Sequence, residues 1–154
     1  MEQPPNHEHV DHQMMKVEVN LDDTPGEWLG YVMDRLFEAG ANDVYYTPIY
    51  MKKNRPGVLV QLLCHEKILD RMRDILLRET TTLGIRYYPL TVYRMERRVR
   101  SIETMYGYVS VKEGLHNGQV ISQAPEFEDC RRLAEKHQIP LKKMYEMVWK
   151  QMTS

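Results

Sequence analysis

The chain has 154 residues, which is enough for one ordinary domain with a small appendage. Charged residues make up 28% and hydrophobic residues 42%, a balance that indicates a globular protein and excludes a disordered one. The net charge of -1 excludes the overall basic field by which a domain attracts nucleic acid, so we expect no nucleic-acid partner.

Three features of the sequence predict a cytoplasmic protein with no membrane partner. The longest apolar run, Val58 to Cys64, is far too short to span a bilayer. The first nine residues have neither the basic start nor the apolar core of a signal peptide. The two cysteines, Cys64 and Cys130, form no metal or redox motif, so we expect both to be reduced and buried among apolar side chains.

Residues 1–13 are polar and are predicted to form a disordered tail or linker. They contain three histidines, His7, His9 and His12, and alternate imidazoles can bind nickel, zinc or copper. Closing such a site would cost the tail conformational entropy, which favours the interpretation as a solvated linker.

The next segment predicts a strand followed by a capped helix. Apolar and polar residues alternate from Met15 to Leu21, which is typical of a strand with one buried face. We expect Thr24 to cap a helix that starts at Pro25, with Glu27 in the position of a capping box. Gly40 is expected to end this helix in the left-handed conformation.

A hairpin, a second helix and a fourth strand follow. Residues 44–51 and 58–64 are rich in β-branched and aromatic residues, and the cationic turn Lys52 to Gly57 joins them. A helix is predicted from about His65, with Gly84 as its stop signal, and a strand from Ile85 to about Arg94. Residues 14–96 therefore predict an α+β, ferredoxin-like βαββαβ domain, an antiparallel sheet with two helices on one face.

Residues 97–154 predict a smaller β-hairpin plus two-helix region. The fourth strand is expected to continue into Val99 to Thr104 and to turn back into Tyr108 to Lys112. Two amphipathic helices follow, starting at Pro125 and Pro140, and Phe127 is expected on the buried face of the first.

Topology brings three polar segments to one end of the predicted sheet. They are the loop after the first strand, the hairpin tip, and the loop after the second helix. Their side chains suit a metal–nucleotide: carboxylates for Mg²⁺ or Mn²⁺, cations for phosphate oxygens, and further donors. The metal ligands would be Asp22 and Asp23, and the nucleotide-binding residues Lys52, Lys53, Arg55, Arg78, Thr80, Thr81 and Thr82.

Structural interpretations of these residues remain open. Two aspartates before a helix are common in turns, and a lysine-rich hairpin tip also discourages strands from pairing with other molecules. The sequence has no Walker-type glycine-rich loop, zinc-ligand motif or nucleophile elbow. A second basic run, from Arg94 to Arg100, is interpreted as a charged strand rather than as a ligand site.

Several motifs in one order resemble the nickel insertion proteins of the LarC family. The segments that carry the resemblance are residues 19–23, 36–44, 47–59, 78–86 and 126–134. They include Asn20-Leu21-Asp22-Asp23, Lys52-Lys53-Asn54-Arg55-Pro56-Gly57 and Arg78-Glu79-Thr80-Thr81-Thr82. Only the residues before Met14 fall outside the resemblance.

The resemblance implies the C-terminal domain of a CTP-dependent nickel chelatase, a cyclometallase of the lyase class. Such a protein inserts Ni²⁺, its substrate metal, into pyridinium-3,5-bisthiocarboxylic acid mononucleotide and so forms the nickel pincer nucleotide cofactor of lactate racemase. It implies CTP with Mn²⁺ or Mg²⁺ as the bound nucleotide and the N-terminal portion of the same protein as a partner. Separately, Tyr45, Tyr87 and Tyr93 on a predicted sheet with helices on only one face favour a homo-oligomer. Two alternatives stay open: a ferredoxin-like module that senses an anion or nucleotide without catalysis, and an oligomerisation domain.

Overall fold

The computed structural model describes residues 7–154, which contain seven strands and four α-helices. The strands are β1 (His9–Leu21), β2 (Asp43–Tyr50), β3 (Pro56–His65), β4 (Arg86–Arg94), β5 (Glu96–Thr104), β6 (Gly107–His116) and β7 (Gln119–Pro125). The helices are α1 (Gly26–Glu38), α2 (Leu69–Glu79), α3 (Phe127–His137) and α4 (Leu141–Thr153). The order β1-α1-β2-β3-α2-β4 is the one that the sequence predicts for its first part.

The first strand is longer than the sequence predicts. β1 begins at His9, so residues 9–13 are part of a strand and the expectation of a disordered tail is wrong for them. Gln13 accepts a hydrogen bond from His65, and His12 lies 3.3 Å from the Thr91 hydroxyl, so neighbouring strands supply partners that a linker would lack. Residues 1–6 of the predicted tail lie outside the described residues.

The first sheet has the strand order β2-β3-β1-β4. β3 pairs antiparallel with β1, with Val19 opposite Val60, and antiparallel with β2, with Val44 opposite Leu62. Alternate residues of these strands enter one core together with one stripe each of α1 and α2, so both helices cover the same face. The buried side chains include Val17, Val19, Leu29, Val32, Leu36, Val60, Leu62, Cys64, Met72 and Leu76.

The ends of α1 differ in how well the sequence predicts them. The helix begins at Gly26 with Pro25 as its N-cap, and no side chain caps it, so the expected Thr24 cap is wrong. The Thr24 hydroxyl instead bonds to Thr81, 57 positions along the chain. At the other end Gly40 has φ +104°, and its N–H donates to Phe37 while that of Ala41 donates to Leu36, which confirms the left-handed glycine stop.

Two other expected element boundaries are wrong. α2 ends at Glu79 with Thr80 in an extended conformation, because the Thr80 hydroxyl bonds back to the Leu76 carbonyl, and Gly84 lies beyond the helix end. The fourth strand does not continue past Arg94, since β5 belongs to a separate sheet. Phe127, expected on a buried helix face, is the first residue of α3 and is exposed.

The second sheet has the order β5-β6-β7, with Ile102 opposite Val109 in the first pair of strands. α3 and α4 pack with it around a core of their own, made of Ile102, Val109, Val111, Cys130, Leu133, Ala134, Met144 and Val148. The β5–β6 turn needs Gly107, because its φ is +132° and a Cβ there would lie 3.1 Å from Leu133 Cδ2.

The chain divides into two compact units, each with its own core. One consists of Asp11–Val92, and the other of residues 7–10 together with Tyr93–Ser154. Each core contains one free cysteine, Cys64 or Cys130, and burial raises the pKa of both thiols, so the expectation of buried, reduced cysteines is confirmed. Between residues 7 and 154 no helix is long and apolar enough to cross a membrane.

Candidate functional site

The three predicted polar segments meet at one end of the first sheet. Thr81, in the loop after α2, donates from its hydroxyl to Asp23 Oδ1 at 2.5 Å. The Thr24 hydroxyl lies 2.6 Å from Thr81 Oγ1, and the Thr81 N–H donates to Thr24 Oγ1 at 3.4 Å. Arg55 of the hairpin tip places Nη1 3.6 Å from Asp22 Oδ2. The acidic loop therefore contacts both of the other segments.

Among residues 7–154 these contacts use one oxygen of each carboxylate. Arg55 approaches Asp22 Oδ2 and Thr81 bonds Asp23 Oδ1, so within this range Asp22 Oδ1 and Asp23 Oδ2 have no such partner. The Asp22 side chain is 20% exposed and Asp23 lies on the surface. Arg55 is half exposed, and a 3.6 Å pair of this kind adds little stability, so its main effect is to hold the guanidinium near the acidic loop.

The hairpin tip presents two lysines to solvent. Residues Lys52–Asn54 form one 3-10 turn in which Lys53 and Asn54 have φ +60° and +56°. Both Lys52 and Lys53 are exposed, and their ammonium groups have no ion-pair partner in the part of the chain that the structure describes. The tip therefore offers two cations that no carboxylate of the described chain neutralises.

The other predicted nucleotide-binding side chains have structural partners. Thr80 is buried and its hydroxyl donates to the Leu76 carbonyl at 2.6 Å, while the Thr82 hydroxyl donates to the Gly84 carbonyl at the same distance. Arg78 donates from Nε to Asp74 at 2.8 Å, and this carboxylate raises the pKa of Arg78. In residues 7–154 Arg78 makes no bond to the acidic loop or to the tip.

Arg78 lines a cleft of about 530 Å³ beside this end of the sheet. The other lining residues are Glu27, Trp28, Tyr31 and Glu79, and both aromatic side chains are about half exposed. The sequence analysis did not identify Trp28 or Tyr31. Their spacing of three on the exposed side of α1 was a usable signal, because the buried stripe of that helix already has its own apolar residues.

The face of the first sheet opposite the helices carries a polar network that the sequence analysis did not single out. Glu18 accepts hydrogen bonds from Gln61 and Arg86 at 2.8 Å and from the Tyr88 hydroxyl at 3.2 Å. Burial raises the pKa of Glu18, but these bonds, led by that from Arg86, outweigh it, so the pKa is lowered overall. Alternation in β1 already indicated that this face was polar, but only the sheet order brings Arg86 beside Glu18.

Lys16 is the most buried polar residue of that face. Its side chain is almost fully covered, and its ammonium group bonds to the Tyr45 hydroxyl and lies 4.5 Å from the centre of the Tyr45 ring. The hydroxyl oxygen gives the covered ammonium a hydrogen-bond acceptor, which partly offsets its loss of water. The Lys16–Tyr45 contact therefore fixes both side chains on this face.

The residues at the acidic loop fit part of a divalent-cation shell. Asp22 and Asp23 supply hard carboxylate oxygens, which Mg²⁺ and Mn²⁺ accept when water and phosphate oxygens fill the remaining positions. Within the described residues no three His, Cys, Asp or Glu side chains are grouped to hold a metal ion by themselves. A metal here would need further ligand oxygens, such as those of a nucleoside triphosphate.

Comparison with known proteins gives the family. The sequence model of a family described as nickel insertion protein matches residues 3–145. The chain belongs to this family. The resemblance to LarC-type nickel insertion proteins that the sequence motifs indicate is thereby confirmed.

Two curated relatives carry the name pyridinium-3,5-bisthiocarboxylic acid mononucleotide nickel insertion protein. The one from Acetivibrio thermocellus is 48% identical over 92% of this chain and 34% of its own length. The one from Thermotoga petrophila is 42% identical over 89% of this chain and 34% of its own length. This nickel insertion family member thus spans about a third of the length of the relatives it matches.

Two solved structures are similar to this chain in fold. LarC2, described as the C-terminal domain of a cyclometallase involved in the synthesis of the NPN cofactor of lactate racemase, superposes with a TM-score of 0.87 at 36% identity, covering 96% of this chain and 99% of that one. Protein MK0293 from Methanopyrus kandleri superposes with a TM-score of 0.69 at 27% identity, covering 90% and 87%. The mixed α+β architecture, with antiparallel sheets and four helices, is that of LarC2.

Proposed function

We propose that this chain is the CTP-binding C-terminal part of a nickel insertion protein that metallates pyridinium-3,5-bisthiocarboxylic acid mononucleotide. The family and the similarity to LarC2 support the reaction class. The observation that carries the binding role is the contact of the acidic loop with both the cationic tip and Thr81. These contacts gather carboxylates, cations and a hydroxyl at one place, as a metal–triphosphate requires.

The divalent ion of the nucleotide is proposed to bind at Asp22 and Asp23. One oxygen of each has no partner among the described residues, and when bound the metal would neutralise triphosphate charge. Thr81 orients Asp23 through its short hydrogen bond, and Thr24 orients Thr81 in turn. The two threonines are therefore proposed as positioning residues, and Asp22 and Asp23 as the metal ligands.

The phosphates are proposed to lie against the hairpin tip. Lys52 and Lys53 supply mobile ammonium groups, and Arg55 supplies a guanidinium held near the metal ligands by Asp22. Arg78 would bind the nucleotide from the adjacent cleft rather than from the tip, since it lines that cleft with Trp28 and Tyr31. Thr80 and Thr82 would act through the shape of their loop, because their hydroxyls bond to backbone carbonyls.

The remaining features of the assignment are also proposals. The element order and the strand order β2-β3-β1-β4 support a ferredoxin-like classification of the first sheet and its helices. The short span relative to its family supports a requirement for the N-terminal portion of the full protein in the lyase-class, cytoplasmic nickel insertion reaction. Ni²⁺ enters that reaction as a substrate and forms bonds to carbon and sulfur of the pyridinium mononucleotide.

Calorimetric titration with manganese–CTP tests the binding proposal. Asp22→Ala and Lys53→Ala should each weaken binding at least tenfold, because each removes a charged contact worth about 1.5–3 kcal/mol. Lys142→Ala is the matched control, since Lys142 is an exposed lysine of α4 outside the site, and it should bind as the wild type does. Wild-type affinity in both site variants would remove the nucleotide from this end of the sheet.

Self-association is a second proposed role, carried by the face of the first sheet opposite its two helices. Tyr45 and Tyr88 are exposed there around the buried Lys16 and the Glu18 network. Such a face of rigid aromatic side chains suits contact with a second copy of the chain. Light scattering should give a mass above 18.4 kDa for the wild type and a lower mass for Tyr88→Glu. A monomeric wild type would contradict this role.

A further inference from the structure

Strand β5 carries a second cluster of charge, in the unit of residues 93–154, that the proposed nucleotide site does not use. Glu113 on β6 lies opposite Arg98 in the β5–β6 register and is only 3% exposed. Arg98 donates from Nε to Glu113 Oε2 at 2.7 Å, and Arg100 donates from Nε to Glu113 Oε1 at 2.6 Å. One buried carboxylate thus holds two guanidinium groups side by side.

The two arginines keep hydrogen-bond donors beyond those that Glu113 uses. Each bonds Glu113 through Nε, and the side chains are 54% and 38% exposed, so terminal N–H groups of both guanidiniums remain accessible to a ligand. Arg100 Nη2 donates to Gln123 Oε1 at 3.3 Å, which leaves the amide NH₂ group of Gln123 as a further donor. No other bond of either arginine exists in the described chain.

The charges of the cluster do not cancel. Two guanidinium charges against one carboxylate leave one net positive charge, and the carboxylate itself is covered. A hydrogen bond from Arg98, and to a lesser extent one from Arg100, lowers the pKa of Glu113, whereas burial raises it. The pKa is lowered overall, so Glu113 stays ionised at neutral pH. A single arginine would satisfy this carboxylate with two parallel bonds. The second arginine supplies binding capacity that Glu113 does not need.

We propose that Arg98, Arg100 and Gln123 form a binding site for a phosphate group, such as the 5′-phosphate of a pyridinium mononucleotide, a choice of ligand that rests on the proposed function. Guanidinium forks fit phosphate oxygens, and Glu113 holds both forks in place before the ligand arrives. Glu96 lies on the same face of β5, two positions before Arg98, and has no ion-pair partner among residues 7–154. It is the one nearby carboxylate of this strand face that would oppose an anion.

Nuclear magnetic resonance of the arginine Nε–H groups provides the test, with nicotinamide mononucleotide as the probe. Its phosphate should shift the Arg98 and Arg100 signals saturably, whereas nicotinamide riboside, which lacks the phosphate, should leave them unchanged. Inorganic phosphate distinguishes a site for phosphate alone from a site for the whole mononucleotide. If inorganic phosphate shifts the signals with the same affinity as the mononucleotide, the site recognises phosphate alone. If inorganic phosphate binds more weakly, the site recognises the whole mononucleotide. Both results support the site, and the absence of saturable shifts with either phosphate ligand would overturn it.

Four variants sharpen the test. Arg100→Gln and the pair Arg98→Gln with Glu113→Gln should weaken binding at least tenfold, and the paired variant avoids an unpaired buried charge. Glu96→Gln should strengthen binding severalfold, an effect that a purely structural salt bridge cannot produce. Arg97→Gln, on the opposite face of the same strand, is the control and should change nothing. Unchanged affinity in Arg100→Gln and in the paired variant, or loss of manganese–CTP binding in Arg100→Gln, would contradict a separate phosphate site.

Discussion

A single residue near the start of the described chain, Glu8, makes three side-chain hydrogen bonds. Its carboxylate accepts hydrogen bonds from the Tyr93 hydroxyl, from His116 Nδ1 at 2.5 Å and from the Asn117 N–H at 3.1 Å. These bonds, the one from Tyr93 first, lower the pKa of Glu8 to about 2 from a usual value of 4.5. The contacts attach residues 7–10 to the unit of Tyr93–Ser154.

The lowered pKa predicts an acid-dependent loss of stability. Since the pKa of Glu8 is lower in the folded state, its stabilisation is present above about pH 4.5 and disappears as the pH falls towards 2. Glu8→Gln removes that dependence. Urea unfolding at pH 6 and pH 3 should therefore show a smaller loss of stability for Glu8→Gln than for the wild type. An equal loss in both would mean that Glu8 does not titrate in this way.

At the scale of the secondary-structure element, the position of the cationic hairpin depends on one glycine. This glycine is Gly57, where an added Cβ would lie 2.7 Å from the Leu21 carbonyl oxygen and 2.8 Å from Met51 Sδ. Leu21 immediately precedes the acidic loop, and it pairs with Val58 in the β1–β3 register. The absence of a side chain at Gly57 therefore allows the tip and the acidic loop to approach each other.

Gly57→Ala is expected to separate these two segments. The backbone oxygen of Leu21 cannot move aside as a flexible side chain would, so we expect a loss of about 1–3 kcal/mol in unfolding free energy together with weaker manganese–CTP binding. Chemical denaturation and calorimetry measure the two effects. Gly30→Ala is the control, because nothing lies within 4 Å of its added Cβ and alanine favours the helix interior by about 0.5–1 kcal/mol. Full binding by Gly57→Ala would contradict the close approach.

At the scale of the whole molecule, two units with separate cores share one chain. Met72 is fully buried in the core of Asp11–Val92, and Met144 is fully buried in the core of Tyr93–Ser154. The proposed nucleotide site belongs to the first unit and the proposed phosphate site to the second. A change in one core should therefore affect its own site first.

Met144→Ala tests this division. A buried methionine truncated to alanine costs about 2–5 kcal/mol through lost burial and a residual cavity. Hydrogen exchange should show the largest loss of protection in β6, α3 and α4, whereas Val60 and Leu62 in β3 should change less. Met72→Ala should give the reverse pattern. Equal loss of protection across both cores in either variant would mean that the chain opens as one cooperative unit.

Much of the local structure was predictable from the sequence. Alternation identified β1, and β-branched and aromatic composition identified β2 and β3. The spacing of apolar side chains identified the helices, because the helical period follows from where consecutive side chains point. The Gly40 stop was predictable, since few residues other than glycine adopt φ near +104°. The motifs around Asp22, Lys52 and Thr80 were enough to indicate the family that the comparisons confirm.

Two of the errors arose where a side chain bonds to a distant partner rather than to a local one. Thr24 was expected to cap α1, but Thr81 offers its hydroxyl a bond that no neighbour in sequence reveals. Residues 9–13 were expected to be disordered, but adjacent strands supply partners for His12 and Gln13. In both cases the polar group has several possible partners, and the tertiary structure determines which one it bonds to.

The sequence by itself therefore determined most of the elements, their order in the first part of the chain, and the polar segments that topology gathers at one end of the first sheet. Only the tertiary structure decided which side chains touch: Arg55 with Asp22, Thr81 with Asp23, and Arg98 and Arg100 with one buried Glu113. The physical reason is the distance along the chain over which each kind of interaction acts. Periodicity and turn preferences act within a few residues, whereas hydrogen bonds and ion pairs depend on distances that only the folded chain sets.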